Sequence, residues 1–331
     1  MNKIILGTLA LVVTATSAAA QQPIDQTIPT SATGHVLITN TAGQVQVTAW
    51  DRNEIRVTGT LGQGAEGVEV GGSGDRTEIR VVLPRGGGRN IRGTTLEVRV
   101  PARKALTVTT TSADIRVEGV TGTLELRSTS GDVTARSSSA DVVARSTSGD
   151  VTIDAQNATR VRATAVSGDV VVRGTVQQSV EAEAVSGDVE IRASTPEVRA
   201  KTVSGDLLMQ GVSGRVTAAS TSGSAMIRDS RIQFGSFESV SGDLVFDGEL
   251  QRGAAFNVQT HSGNIEMRLP GSSAAEFEAR TFSGRIVSEL GGTVERTSAR
   301  GPGQELRFTA GAGGGMIALK TFSGDVRLVR R

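Results

Sequence analysis

Three adjacent stretches decide the fold: Val161–Gly174 reads VRATAVSGDVVVRG, Val180–Ala193 reads VEAEAVSGDVEIRA, and Val198–Gly211 reads VRAKTVSGDLLMQG. Each is two short strands joined by a Ser-Gly-Asp turn. In the middle copy Val180, Ala182, Ala184, Val189 and Ile191 form one face, while Glu181, Glu183, Glu190 and Arg192 form the other. That period of two on both sides of a turn is the pattern of half-buried β-strands. Glycine accepts backbone angles that other residues resist, and Ser and Asp bond nearby amides, so the Ser-Gly-Asp step supplies a corner.

Outward from these copies the phrase recurs along the chain. It starts at Val36, then at Leu106, Leu124, Val142, Val161, Val180, Val198 and Val216, and less regularly at Gly235, Phe256, Phe277 and Ile317. A unit of about 18–21 residues repeated in this way is the signature of a stacked-repeat architecture. STSGDVTAR, SSSADVVAR and STSGDVTID, consecutive from Ser128 to Asp154, show a half-period, so one coil holds two strands and two turns. The expectation is an all-β, single-domain β-solenoid, a flattened β-helix with parallel pairing between coils. An antiparallel sandwich would also give short strands and frequent turns, but it has no need of the same phrase at every turn.

The bulk numbers fit thin repeated layers. Of 331 residues 37% are hydrophobic but only 3% aromatic, with one Trp (Trp50), no Tyr and 41 Gly. The formal charge is +1, from 35 Lys and Arg against 34 Asp and Glu, which gives no global field for nucleic acid or an anionic membrane. Cysteine is absent, which removes disulfides, thiol catalysis and Cys-ligated metals.

Three segments depart from the repeat. Residues 1–20 read as a signal peptide: Lys3, an apolar run Ile4–Val13, and Ala18-Ala19-Ala20 before Gln21. The run is too short for a membrane span, and no later run is long enough, so the expectation is an exported mature chain without an integral membrane segment, in the periplasm or at the cell surface. Residues 21–105 hold irregular strands with Gly-rich links and read as an N-terminal β cap, because open solenoid ends invite edge pairing. Residues 291–315 read as a hairpin inserted before a last repeat; the repeats proper span 106–331.

GHVLITNTAGQVQVTAWDRNEIRV, LEVRVPARKALTVTTTSADIRV, the SGDV units and GMIALKTFSGDVRL resemble the DUF4097-type β-strand-repeat adhesin candidates, a family of exported bacterial proteins of unknown function. The resemblance covers nearly all of the mature chain. It implies a β-helical protein of the cell surface or periplasm and carries no catalytic residues over.

Two columns of side chains are candidates for chemistry. Asp114, Asp132, Asp150, Asp169, Asp188 and Asp206 share one turn position, and stacking would set them about 5 Å apart. Such a ladder suits calcium, the one cofactor expected at all, or else each Asp completes its turn by bonding backbone amides. The nonapeptide motif of calcium-binding β-helices is absent, and in GGSGDR from Gly71 an Arg (Arg76) stands where it needs Asp. Arg136, Arg173, Arg192, Arg228 and Arg268 form an outward row that could hold an anionic glycan, although Glu118, Asp154, Asp247 and Glu289 share the column. His35 and His261 are the only histidines, and His261 fills a turn slot held elsewhere by Val, Thr or Phe. No nucleophile elbow or phosphate loop occurs. The expected function is a non-catalytic structural or adhesin-like role, with glycans or an envelope protein as partner. The alternatives are a sensor or accessory factor acting through a protein partner, and a polysaccharide-active enzyme.

Overall fold

The computed structural model describes residues 23–73, 75–84, 92–298 and 301–331; the expected signal peptide and the Gly86-Gly87-Gly88 link lie outside these. Twenty-five strands and no helix occur among the described residues. Successive repeats stack in parallel and in register at the repeated phrase, with the register shifts confined to the links between phrases, as at Gln156–Arg160 and Arg228–Phe234. Val142 pairs with Val161, Val161 with Val180, Val180 with Val198 and Val198 with Val216. After the turn, Val133, Val151, Val170, Val189, Leu207, Ala225, Leu244 and Ile265 form the matching row.

The inward faces of the two strand rows meet in one narrow core. Its members are small, such as Val161, Ala163, Val180, Ala182, Ile153, Val172 and Ile191. Toward the C-terminal end phenylalanines enter, with Phe246 edge-on to Phe256 at 5.2 Å. This explains how so few aromatics suffice: each coil needs only a few aliphatic side chains because coils above and below complete its burial.

The corner fixes the stacking distance. A Cβ added at Gly187 would lie 2.1 Å from the carbonyl oxygen of Gly168 in the preceding coil. The same approach, 2.0–2.4 Å, recurs at every stacked turn from Gly131 to Gly324. Glycine is therefore required by backbone closeness, even where its φ is ordinary. The crowded carbonyls are also hydrogen-bonded: Ser146 Oγ donates to Gly131 O, Thr202 Oγ1 to Gly187 O and Thr321 Oγ1 to Gly263 O. These hydroxyls sit at the last inward position before the turn and are buried.

Spatial order and sequence order part company at both ends. The Val36 coil stacks directly on the Leu106 coil, Val36 facing Leu106 and Val45 facing Ile115. Its other side is covered by Arg76–Val82 and Thr94–Pro101. Antiparallel strands close that end: Gly67–Ser73 on Arg76–Val82, Glu54–Thr60 on Thr94–Pro101, and Pro23–Pro29 outermost. At the C-terminal end the last repeat does not lie last. Met316–Ser323 sits between Leu244–Ser262 and Ala275–Ser283, and Val326–Arg330 between Ile265–Leu269 and Ile286–Ser288. Gln304–Ala310 then runs antiparallel along Ala275–Ser283, with Val294–Arg296 on its far edge.

The chain of turn bonds ends at the Phe277 coil. Asn264 Oδ1 accepts the amide of Asp325 at 2.9 Å, and Asp325 Oδ1 accepts the amide of Arg285 at 2.9 Å. Arginine has no acceptor atom, so nothing can continue the chain of bonds beyond Arg285.

The closeness of the corner backbones has a direct consequence for stability. Gly187→Ala should cost about 3 kcal/mol, because backbone must move to admit the methyl. Gly67→Ala, at a glycine with nothing within 4 Å of the added atom, should stay within about 0.5 kcal/mol of the parent. Urea unfolding of both variants checks this, and equal effects would contradict it.

Candidate functional site

The aspartate column is built by the corner. Each carboxylate reaches to the next coil: Asp114 Oδ1 accepts the amide of Asp132 at 3.0 Å, Asp132 that of Asp150 at 3.0 Å, and Asp150 that of Asp169 at 2.8 Å. Asp169, Asp188 and Asp206 continue to Asp188, Asp206 and Ser224. The backbone answers in the opposite sense, with Val151 N donating to Asp169 O and Val170 N to Asp188 O. One oxygen of each carboxylate is thus committed to holding coils together, which supports the turn-completing role. Among the described residues no three His, Cys, Asp or Glu side chains gather as a metal site; a calcium ion along this edge would have to draw on the second oxygens.

The arginine row lies on the outer face but is interleaved with acids. Arg136 pairs with Asp154 at 3.3 Å, Arg173 and Arg192 both with Glu190, and Arg268 with Glu266 at 2.6 Å. Arg228 stands between Gln210 and Asp247. The row is a mixed, solvated face, and surface pairs of this kind contribute little stability.

The residue before each Ser-Gly turn builds a feature that the strand alternation conceals. Val166, Val185, Val203, Val240, Phe322 and Phe282 are each 41–55% exposed. Thr221 and His261, also exposed, fill the same slot in their coils. In spatial order these eight residues form one ridge along the stack, about 34 Å long at the usual interstrand step. At its C-terminal end the rings stack: His261 on Phe322 at 5.0 Å and Phe322 on Phe282 at 4.8 Å. The sequence signal was present in the paired apolar residues Ala165-Val166 and Ala184-Val185, which break the period of two.

Beside the ridge runs an open groove of about 820 Å³. Its far wall is Glu183, Lys201, Glu238 and Gln259, outward residues of the strand before the turn. Ser220 and Ser239 also line it, and their buried hydroxyls have no hydrogen-bond partner among the described residues. The groove crosses coils at right angles to the strands, and the strand edges beneath it are already paired on both sides. A ligand here can meet side chains but cannot add a strand.

Two titratable groups lie elsewhere. His35 Nε2 is 2.9 Å from Thr107 Oγ1 on the neighbouring coil. Lys104 is fully buried (0% exposed) at the corner before the Leu106 coil. Its Nζ donates to Ser31 Oγ at 3.4 Å, and Ser31 Oγ in turn lies 2.8 Å from Asp75 Oδ1. This cluster ties the N-terminal segment and the Arg76 strand to the first coils. Burial pushes the Lys104 ammonium below its ordinary value, and the Asp75 charge offsets part of that shift.

Comparison with known proteins places this geometry. The model of the Toastrack DUF4097 family matches residues 26–217 and again 195–329. No curated protein matches the chain. Among solved structures, a candidate adhesin from Bacteroides fragilis is 12% identical, with 94% of this chain and 98% of that one aligned at a TM-score of 0.36. One from Parabacteroides distasonis is 12% identical over 75% of this chain and 94% of its own, at 0.39. A candidate cell adhesion protein from Clostridium sporogenes is 8% identical over 94% and 100%, at 0.24.

The buried lysine predicts a pH dependence. The unfolded chain keeps this proton up to its ordinary value of 10.5, whereas the folded chain releases it earlier. In that window the unfolded state binds more protons, so stability should rise with pH. The window is uncluttered, since the chain has no Tyr or Cys and Lys3, Lys104, Lys201 and Lys320 are its only lysines. Lys104→Met should flatten the rise, as measured by urea unfolding from neutral pH to about 10. An unchanged rise would contradict the assignment.

Proposed function

Because the chain belongs to the Toastrack DUF4097 family, we propose that it is a non-catalytic, adhesin-like binding protein whose ligand lies along the stack against the ridge and groove. The observation that carries this reading is the ridge itself. Six exposed apolar side chains in a line of eight coils are costly to leave in water, and large exposed apolar patches mark interaction sites. The turns around it support a non-catalytic role, since the Asp Oδ1 atoms and several Ser and Thr hydroxyls at the corner are committed to bonds between coils.

In this reading the stack is a single-domain β-solenoid, capped at its N-terminal end, that serves as a straight scaffold for one long edge. Export to the periplasm or cell surface follows from the signal peptide read in the sequence. Among the described residues no helix is long and apolar enough to cross a membrane. The open, shallow form of the groove and its continuity over several coils favour an extended partner over a small molecule.

The test replaces Val185, Val203 and Val240 with Thr, the residue that Thr221 already places in this slot. Retention of labelled protein on envelope fractions of the producing cell should fall about tenfold or more, with circular dichroism and melting temperature unchanged. Full retention by the triple variant would overturn the proposal.

A further inference from the structure

Along the valine part of the ridge, from Val166 to Val240, the charge on the two flanks is one-sided, whereas past Gln259 the groove-side column continues with Lys320 and Arg280. On the turn side lie Asp169, Asp188, Asp206 and Asp243, all exposed. On the groove side Glu183 and Glu238 outnumber Lys201. Six carboxylates therefore border this part of the edge against one ammonium, on a chain whose formal charge is only +1. Elsewhere on the outer face acids are interleaved with arginines, as in Arg162 with Glu181 and Arg231 with Glu249. Acid concentrated beside an exposed apolar line is a complementarity pattern.

We infer that the partner of this edge is a polypeptide segment carrying an apolar stripe flanked by cationic side chains; this rests on the reading of the ridge as the binding edge. Three features select that class. The strands beneath the groove are paired on both sides, so a partner cannot be held by strand addition and must be recognised through side chains. From Val166 to Val240 the ridge is valine interrupted by Thr221, which rewards burial against aliphatic or aromatic side chains and offers no flat ring to a sugar. Where rings do occur, His261, Phe322 and Phe282 stack upon one another, so the faces that meet are taken. Cations on the partner would then meet the aspartate column on one side and the Glu183–Glu238 wall on the other.

The aspartates permit a test that leaves the corner intact. Asn264 occupies the same slot, and its Oδ1 accepts the next coil's amide as the aspartates do. Changing Asp169, Asp188, Asp206 and Asp243 to Asn therefore removes charge and keeps the acceptor. The probe is a synthetic amphipathic peptide of leucine and lysine, with its leucine-glutamate counterpart and a neutral β-glucan as comparators, read by fluorescence anisotropy at two salt concentrations. The lysine peptide should bind the full chain, weaken about tenfold in the four-Asn variant, and weaken further with salt. The Val-to-Thr triple variant should weaken it as well. Undiminished binding to the four-Asn variant, or equal binding of the glutamate peptide, overturns the cationic partner while a Val-dependent loss leaves the ridge reading standing. Binding of the glucan in preference to the lysine peptide overturns the polypeptide class. If the triple variant binds every probe as the parent does, the ridge is not the site and both readings fall.

Discussion

A carbonyl oxygen sits 2.0–2.4 Å from where each corner glycine would carry a side chain, and the rest of the molecule is arranged around that closeness. It lets parallel strands run at their normal separation through a sharp turn instead of only along straight sides. With coils that close, an aspartate in one turn reaches the amide of the next, and an inward Ser or Thr reaches the glycine carbonyl behind it. The three-residue turn thus provides the steric permission, the acceptor and, through its neighbour, the donor. Burial of the small aliphatic core follows, since thin layers of valine and alanine exclude water only when the layers touch.

The same bonds run to the end of the stack. They stop at Arg285, whose side chain offers no acceptor. The Phe277 coil lies outermost there, and the final repeat, which carries Asp325, lies back inside. At the opposite end the Val36 coil is likewise interior, covered by strands that come later in the sequence. Both termini of the repeat array are in this way held between neighbours. Sheet edges are a hazard for pairing with other chains, and antiparallel strands cover much of what remains.

How much of this was legible in the sequence depended on whether a feature is local. The alternation at Val180–Ile191, the turn at Ser186–Asp188 and the stacking of like on like are local and repeated, so periodicity exposes them. Which coil neighbours which is not local: Ile317 and Phe277 begin equivalent phrases, and no period reveals that the later one stacks first. The aspartate ladder was visible as a column, but its role turned on whether a carboxylate reaches the next amide or a cation, which only the pitch decides. The arginine row was also visible, and Glu190 and Glu266 lie two residues from Arg192 and Arg268 on the same face, so the pairing belongs to neighbouring columns together and to no single column. The ridge was hidden because Val185 and its equivalents sit at the junction of strand and turn, where alternation stops assigning faces.

The order of coils at the C-terminal end is the feature most open to direct trial. A chain without cysteine allows a clean trial by cysteine pairs. Gln259 faces Lys320 in register on adjacent outward positions, whereas Arg280 faces Lys320 from the far side. Adjacent parallel strands fall within disulfide reach, and strands two steps apart, at roughly 10 Å, do not. Oxidation of the Gln259→Cys, Lys320→Cys double variant should give a crosslink in high yield, and the Gln259→Cys, Arg280→Cys variant should give none. The reverse outcome would show that the coils stack in sequence order.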